Sequence, residues 1–131
     1  MVEAFNKLNE KPDVVFISGH GISHSRLGLA SHFSLSTGVP TIAVANSLFE
    51  ENKISDNGED ILRDNKKEKV GKVLQSKENS NPIYVSPGNM ISVNTAYNIV
   101  KQMIKQPHKL PEPLHLAHKY AKEIAKELNI N

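Results

Sequence analysis

Apolar and polar positions fall in blocks along this chain. Val14–Ile17 is a short unbroken apolar run, opened by Asp13 and closed by Ser18, the pattern of a strand buried on both faces. Gly19-His20-Gly21 interrupts it. From Arg26 to Thr37, Leu27, Leu29, Ala30, Phe33 and Leu35 recur mostly at helical spacing. Gly38 supplies a helix stop, and Val39-Pro40 forces an extended exit. Thr41–Ala45 is a second continuous strand. Strand, glycine turn, helix and strand in quick succession define a βαβ unit with parallel pairing.

The second half reads differently. Residues 50–69 are charged and Asn-rich, with only Ile54, Ile61 and Leu62 apolar, and are expected to form a mobile loop or a short surface helix. Val70–Gln75 and Pro82–Ser86 predict two strands of a hairpin across the polar turn Ser76–Asn81. Ser92 caps a helix running to Gln106, with Val93, Ala96, Tyr97, Val100, Met103 and Ile104 on one stripe. After Pro107 and the connector Leu110–Pro113 comes a last helix, Leu114–Leu128. Its expected packing face is Leu114, Ala117, Ala121, Ile124 and Leu128. Four strands are too few to pair two buried parallel ones on both sides, so the sheet reads as partial and the chain as a homo-oligomer.

Length and composition narrow the classes. The 131 residues fit one domain, 1–131, and no apolar run approaches a membrane span. There is no basic, apolar leader at the start, and a cytoplasmic address is expected. With no cysteine, disulfides, thiolate zinc sites and thiol catalysis are excluded. The net charge of +2 hides a gradient. Residues 1–49 balance, residues 50–69 carry seven acids against five bases, and residues 70–131 carry eight lysines against four glutamates. A basic half favours phosphate backbones. Lysines on helix faces are nonetheless ordinary solvated charge. Bidentate clamps are scarce, since only Arg26 and Arg63 are arginines.

The turn Ser18-Gly-His-Gly-Ile-Ser-His24 follows a buried strand, where open α/β sheets place ligands. Two glycines let a backbone approach closely, and their amides can cradle an anion. The turn is a poor dinucleotide fingerprint, because the third glycine is missing and the second strand ends in Asn46 rather than an acid. His20 and His24 lack a third zinc ligand nearby. His32 reads as a hydrogen-bonded helix residue, and His115 and His118 as surface residues.

Here the chain resembles a known family. Its ISGHGISHSRLGLASHFSLSTGVPTIAVANSLF segment is similar to the central segment of the endonuclease V family. NPIYVSPGNMISVNTA and KLPEPLHLAHKYA are similar to that family's closing strand, helix and connector. The resemblance implies a ribonuclease H-like α/β fold and a substrate class of DNA or RNA containing deoxyinosine or inosine, cut with carboxylate-held magnesium. The fold expected is a partial one: a mixed sheet from the βαβ unit and hairpin, with two C-terminal helices. By this comparison the family's front half, with two further metal carboxylates, has no counterpart. Its catalytic positions match Ser18, Asn46 and Asn89, where the family has aspartate, lysine and histidine. The turn between His24 and Gly28 is one residue short. Gly19, Gly21, Gly28 and Leu29 match the family's hypoxanthine pocket, and His24 a family histidine. His20, Ile22, Ser86 and Gly88 complete the expected nucleic-acid-binding set.

One observation needs no family. Between Val14 and Phe49 there is no Asp or Glu. Magnesium takes oxygen ligands that include carboxylates, and a serine hydroxyl is a weak substitute. No metal is expected on this chain alone, although the resemblance implies Mg2+. The leading expectation is a catalytically degenerate relative that keeps nucleic-acid binding. Two others stand beside it: an endonuclease completed by a second polypeptide, and an interaction or regulatory module docking through an exposed sheet edge.

Overall fold

The computed structural model describes residues 2–19, 21, 28–48, 53–54, 60–64 and 66–128. Helix α1 (Val2–Asn6) precedes β1 (Val15–Ser18), α2 (Leu29–Thr37) and β2 (Thr41–Ala45). Then come β3 (Lys53–Ile54), β4 (Ile61–Arg63), β5 (Lys69–Leu74) and β6 (Ile83–Asn89), and finally α3 (Val93–Met103) and α4 (Glu112–Glu127). The six strands form one sheet in the order β1-β2-β6-β5-β4-β3. β1 and β2 are parallel, and every other pairing is antiparallel.

β2 sits between β1 and β6, and all five of its residues are buried. Side chains alternate across the sheet. Ile42 and Val44 face Val85, Ile83 and Leu74, covered by Ala96 and Val100 of α3 and Leu114 of α4. Ala43 and Ile17 face the other way, against Ala30 and Phe33 of α2 and Phe5 of α1. The Phe5 and Phe33 rings meet edge to face, with centroids 5.5 Å apart. That contact ties down the polar opening segment. α2 ends as its sequence dictates: Gly38 adopts φ 73° and its N–H donates to Ser34 O. Ser92 caps α3 by accepting from the Thr95 N–H.

Three expectations need correction. The sheet is not the partial four-stranded one: two short strands lie within residues 50–69, and Leu62 is only 1% exposed, against Val70, Val73 and Tyr84. A pair of apolar residues is too short to show a period, but β5 beside it supplies the partner. β1 is not buried on both faces. It is an edge strand, with Val15 and Phe16 half-buried. In α4 only Leu114 of the expected packing face is buried; Ile124 and Leu128 are 56% and 63% exposed, because no described element lies against them. The described part of α2 starts at Leu29; Arg26 and Leu27, expected in the same helix, lie outside the described residues.

Leu62→Ala tests the extended sheet. Emptying a buried leucine site costs about 2–5 kcal/mol, so urea unfolding should shift to lower denaturant in one cooperative transition. An unchanged midpoint would mean that β4 is not part of the folded core.

Candidate functional site

The site is built where the chain leaves β1. The Gly19 N–H donates to Val44 O at 3.0 Å, extending the parallel ladder by one bond. Gly19 then takes φ 146°, a value other residues rarely adopt. Gly21 crosses to β6. It is buried, and its N–H donates to Ser86 Oγ at 3.1 Å. A Cβ there would lie 2.2 Å from Pro87 O, so the backbones are in contact and only glycine fits. The Gly21 carbonyl in turn accepts from the Gly28 N–H at 3.1 Å. Gly28 is the extended N-cap of α2 and offers no side-chain cap.

A second close approach holds α2 on the sheet. Ser31 Oγ donates to Gly88 O at 2.7 Å, and Thr41 Oγ1 donates to Ala30 O at 2.9 Å. A Cβ on Gly88 would lie 1.8 Å from Thr41 Oγ1. Gly88 is therefore a buried packing glycine between helix and strand. Ser31 and Thr41, 1% and 0% exposed, are supporting residues that pattern reading passed over. The available signal was a hydroxyl inside an otherwise apolar block.

The structure thus brings together Gly19, Gly21, Gly28 and Ser86, with Leu29 exposed beside Gly19. Ser18 and Asn46 are exposed at the carboxyl ends of β1 and β2. Asn89 is not with them. It pairs with Thr41 at the start of β2, whereas Ser18 pairs with Val44, a separation of about 10 Å along the strand. His20, Ile22 and His24 lie outside the described residues. His32 is exposed on α2, and His115 stacks on His108 with centroids 3.5 Å apart.

The described surroundings of this turn are peptide groups and hydroxyls with no carboxylate. Among the described residues no group of three His, Cys, Asp or Glu is placed to hold a metal ion. Ser18 Oγ and the Asn46 amide are neutral donors and do not fit magnesium, which prefers carboxylate oxygens. What such a surface suits is a ligand recognised by hydrogen bonds rather than by ion pairs, since uncharged amides and hydroxyls pair with base edges or single phosphate oxygens.

Fold and turn together define a ribonuclease H-like α/β protein with a glycine-lined loop at the carboxyl end of its parallel strands. Comparison with known proteins narrows the class. The profile of the Endonuclease V family matches residues 1–119. An Endonuclease V of Thermosipho melanesiensis is 41% identical over 132 residues, covering 98% of this chain and 58% of its own length. The catalytic domain of human Endonuclease V superposes with a TM-score of 0.84 at 25% identity, over 99% of this chain and 61% of that one. Ciona intestinalis Endonuclease V, solved with a 24mer DNA containing an inosine followed by a ribo-adenosine, gives a TM-score of 0.77 at 30% identity, over 94% of this chain and 58% of that one. The chain belongs to the endonuclease V family.

These matches correct the narrower resemblance. It is not confined to a central and a C-terminal block with the front half wanting, for the profile match starts at residue 1 and takes in residues 50–80. The intervening residues carry few distinctive motifs, which is why the two blocks stood out. The chain spans a little under three fifths of the length of the Thermosipho relative.

Two substitutions test the loop's seating. Gly21→Ala drives a methyl into the Pro87 carbonyl and should cost about 1–3 kcal/mol. Ser86→Ala leaves the buried Gly21 N–H without its acceptor and should cost about 1–3 kcal/mol. Both are read from urea midpoints against Gly38→Ala, which meets open space and carries only its left-handed backbone penalty. Gly21→Ala equal to Gly38→Ala would refute the backbone contact.

Proposed function

We propose that this protein binds DNA or RNA, with a preference for an inosine-type base, through the loop after β1, and that it does not itself cut the strand. The observation that carries the reading is the seating of the Gly21 backbone on Ser86 and Pro87. It holds the Gly21 backbone on the sheet, with the Gly19, Gly21 and Gly28 N–H groups donated to Val44 O, Ser86 Oγ and Gly21 O, so in this reading ligand contact falls to the rest of the turn. Gly19, His20, Gly21, Ile22 and His24 form the proposed contact set, with Gly28 and Leu29 at its floor and Ser86 and Gly88 holding the frame. The hypoxanthine base of inosine carries a carbonyl and one ring N–H, which peptide groups can pair with. Membership of the family and the inosine-containing DNA in the Ciona complex support this ligand class.

The absence of any acid from Val14 to Phe49 supports binding without cleavage. Two-metal phosphodiester hydrolysis needs carboxylates to hold the ions against the attacking and leaving oxygens. Ser18, Asn46 and Asn89, at the family's catalytic positions, supply none. No described helix is long and apolar enough to cross a membrane. A cytoplasmic site of action fits this cysteine-free chain.

Incubation of a labelled deoxyinosine duplex and an inosine RNA with magnesium or manganese should give a retarded complex and no product. An EDTA-sensitive cut near the inosine would overturn the claim. Equal affinity for matched strands without inosine would overturn the base preference.

The edge of β1 favours a further reading, self-association. Among the described residues β1 pairs only with β2, and its outer side borders an apolar groove of about 420 Å³ lined by Phe5, Leu8, Val14, Phe16, Ile17 and Phe33. An open apolar edge pairs readily with another strand. Sedimentation at micromolar concentration should show a dimer, and Phe16→Lys should shift it to monomer. A stable monomer in the parent would refute the reading.

A further inference from the structure

α4 carries a polarity that core packing does not use. At 100° per residue, His115, His118, Lys119, Lys122 and Lys126 fall within one arc of about 100°. No acid shares that arc, for Glu112, Glu123 and Glu127 lie on the adjoining side. Lys119, Lys122 and Lys126 are exposed, and none makes an ion pair among the described residues. Glu112 is engaged elsewhere: His108 Nδ1 lies 2.7 Å from its Oε1, and this hydrogen bond holds its carboxyl below the usual carboxylate range. The arc also has shape. Leu110 of the connector walls one side of a groove of about 330 Å³, whose other lining residues are His115, His118, Lys119 and Lys122. Ordinary solvated helix charge mixes signs and pairs them at i, i+4. Glu123 stands four residues after Lys119 and three before Lys126, yet neither spacing closes to an ion pair among the described residues, and the arc itself carries one sign of charge.

We infer that the stripe is a second nucleic-acid contact, a surface that tracks the phosphodiester backbone independently of base sequence. The inference rests on the nucleic-acid reading above and gives it a second surface. Lysine ammonium groups are compact point charges, suited to phosphate oxygens and poorly suited to bidentate base readout. From His115 to Lys126 the stripe runs about 16 Å at 1.5 Å per residue, long enough to follow several phosphates. It lies on the other side of the sheet from Gly21 and its seat on Ser86. α4 packs through Leu114 on the face formed by Ile42, Val44 and Val85, whereas Ser31 and Ala30 of α2, beside the loop, lie on the face of Ala43. The two surfaces therefore make separable contributions: the loop gives base preference, and the stripe gives charge-driven affinity.

Salt dependence separates them. A fluorescein-labelled oligothymidylate, which carries no inosine, is titrated between about 50 and 200 mM salt, a range over which phosphate binding weakens steeply. The proteins are the parent, the triple variant Lys119→Ala/Lys122→Ala/Lys126→Ala, the corresponding triple Arg variant, and His24→Ala. On a single strand the log–log slope should flatten by about 0.7 for every phosphate no longer neutralised. The slope of the alanine triple should therefore be shallower by about 2, roughly a 20-fold smaller fall in affinity across that range. The arginine triple should keep the parent slope. His24→Ala should keep it too, while losing preference for an inosine strand. All three lysines are exposed, so truncating them leaves the core intact, and matched urea midpoints check this. An alanine triple with the parent slope overturns the inference and leaves the loop reading standing. A flattened slope together with unchanged inosine preference in His24→Ala supports the stripe and removes the loop. Binding of the parent to phosphatidylcholine–phosphatidylserine vesicles but not to the oligonucleotide would overturn the inference in favour of a lipid surface.

Discussion

The burial of β2 on both faces and both edges is the constraint from which the rest of the structure follows. Thr41–Ala45 has no exposed residue, so every backbone polar group it carries must be paired within the fold. β1 takes one edge and β6 the other. Helices must close both faces, and on the α2 side the available depth is small. Ala30, Ala43 and Gly88 are the residues at that contact, and any larger side chain at Gly88 would strike Thr41 Oγ1. The hydroxyls of Ser31 and Thr41 complete the fit by donating to Gly88 O and Ala30 O across the close approach. The loop after β1 inherits its position from this frame. Gly21 can rest on Pro87 because β6 is already fixed beside β2.

That dependence explains what was legible in the sequence. Strands β1, β2, β5 and β6 and helix α3 announce themselves by apolar runs or stripes, and their caps, Gly38 and Ser92, stand where the stripes end. The two short edge strands do not, because Ile61-Leu62 becomes a buried pair only through neighbours more than seven residues away. α1 is held by Phe5, whose packing on Phe33 and the Ile17–Ala43 face is made by distant residues that no local period reveals. The opposite error occurs in α4. The helical spacing of Leu114, Ala117, Ala121, Ile124 and Leu128 is real, but the described core engages only the first member. Periodicity states which side of a helix is apolar; it does not state what lies there.

The site was legible in part for similar reasons. Glycines at Gly19 and Gly21 mark backbone that must turn or touch, and both do. The glycine at Gly88 carries the same letter for a different reason, serving helix-to-strand packing rather than ligand approach. Asn89, expected beside Ser18 from the family resemblance, is carried by the antiparallel register to the start of β2, away from Ser18. Charge follows a comparable division. Gly21 and Ser86 lie on the α2 face of the sheet, and Lys119, Lys122 and Lys126, which make no ion pair among the described residues, lie along α4 on the other. A composition count merges the two into a mild excess of +2.

The pairing of β2 with β6 also sets an order in time. β3 to β6 form a meander whose neighbours are close in the chain, and such local contacts close quickly. β2 meets β6 across roughly 40–50 residues of intervening chain, a closure whose entropy must be met before any of its contacts form. Gly21 and Ser86 lie on opposite ends of that closure. The loop's seat therefore cannot exist in a chain that has folded only its meander. During synthesis it is assembled only after β6 emerges, so a ligand at the loop selects chains that have finished the slowest pairing.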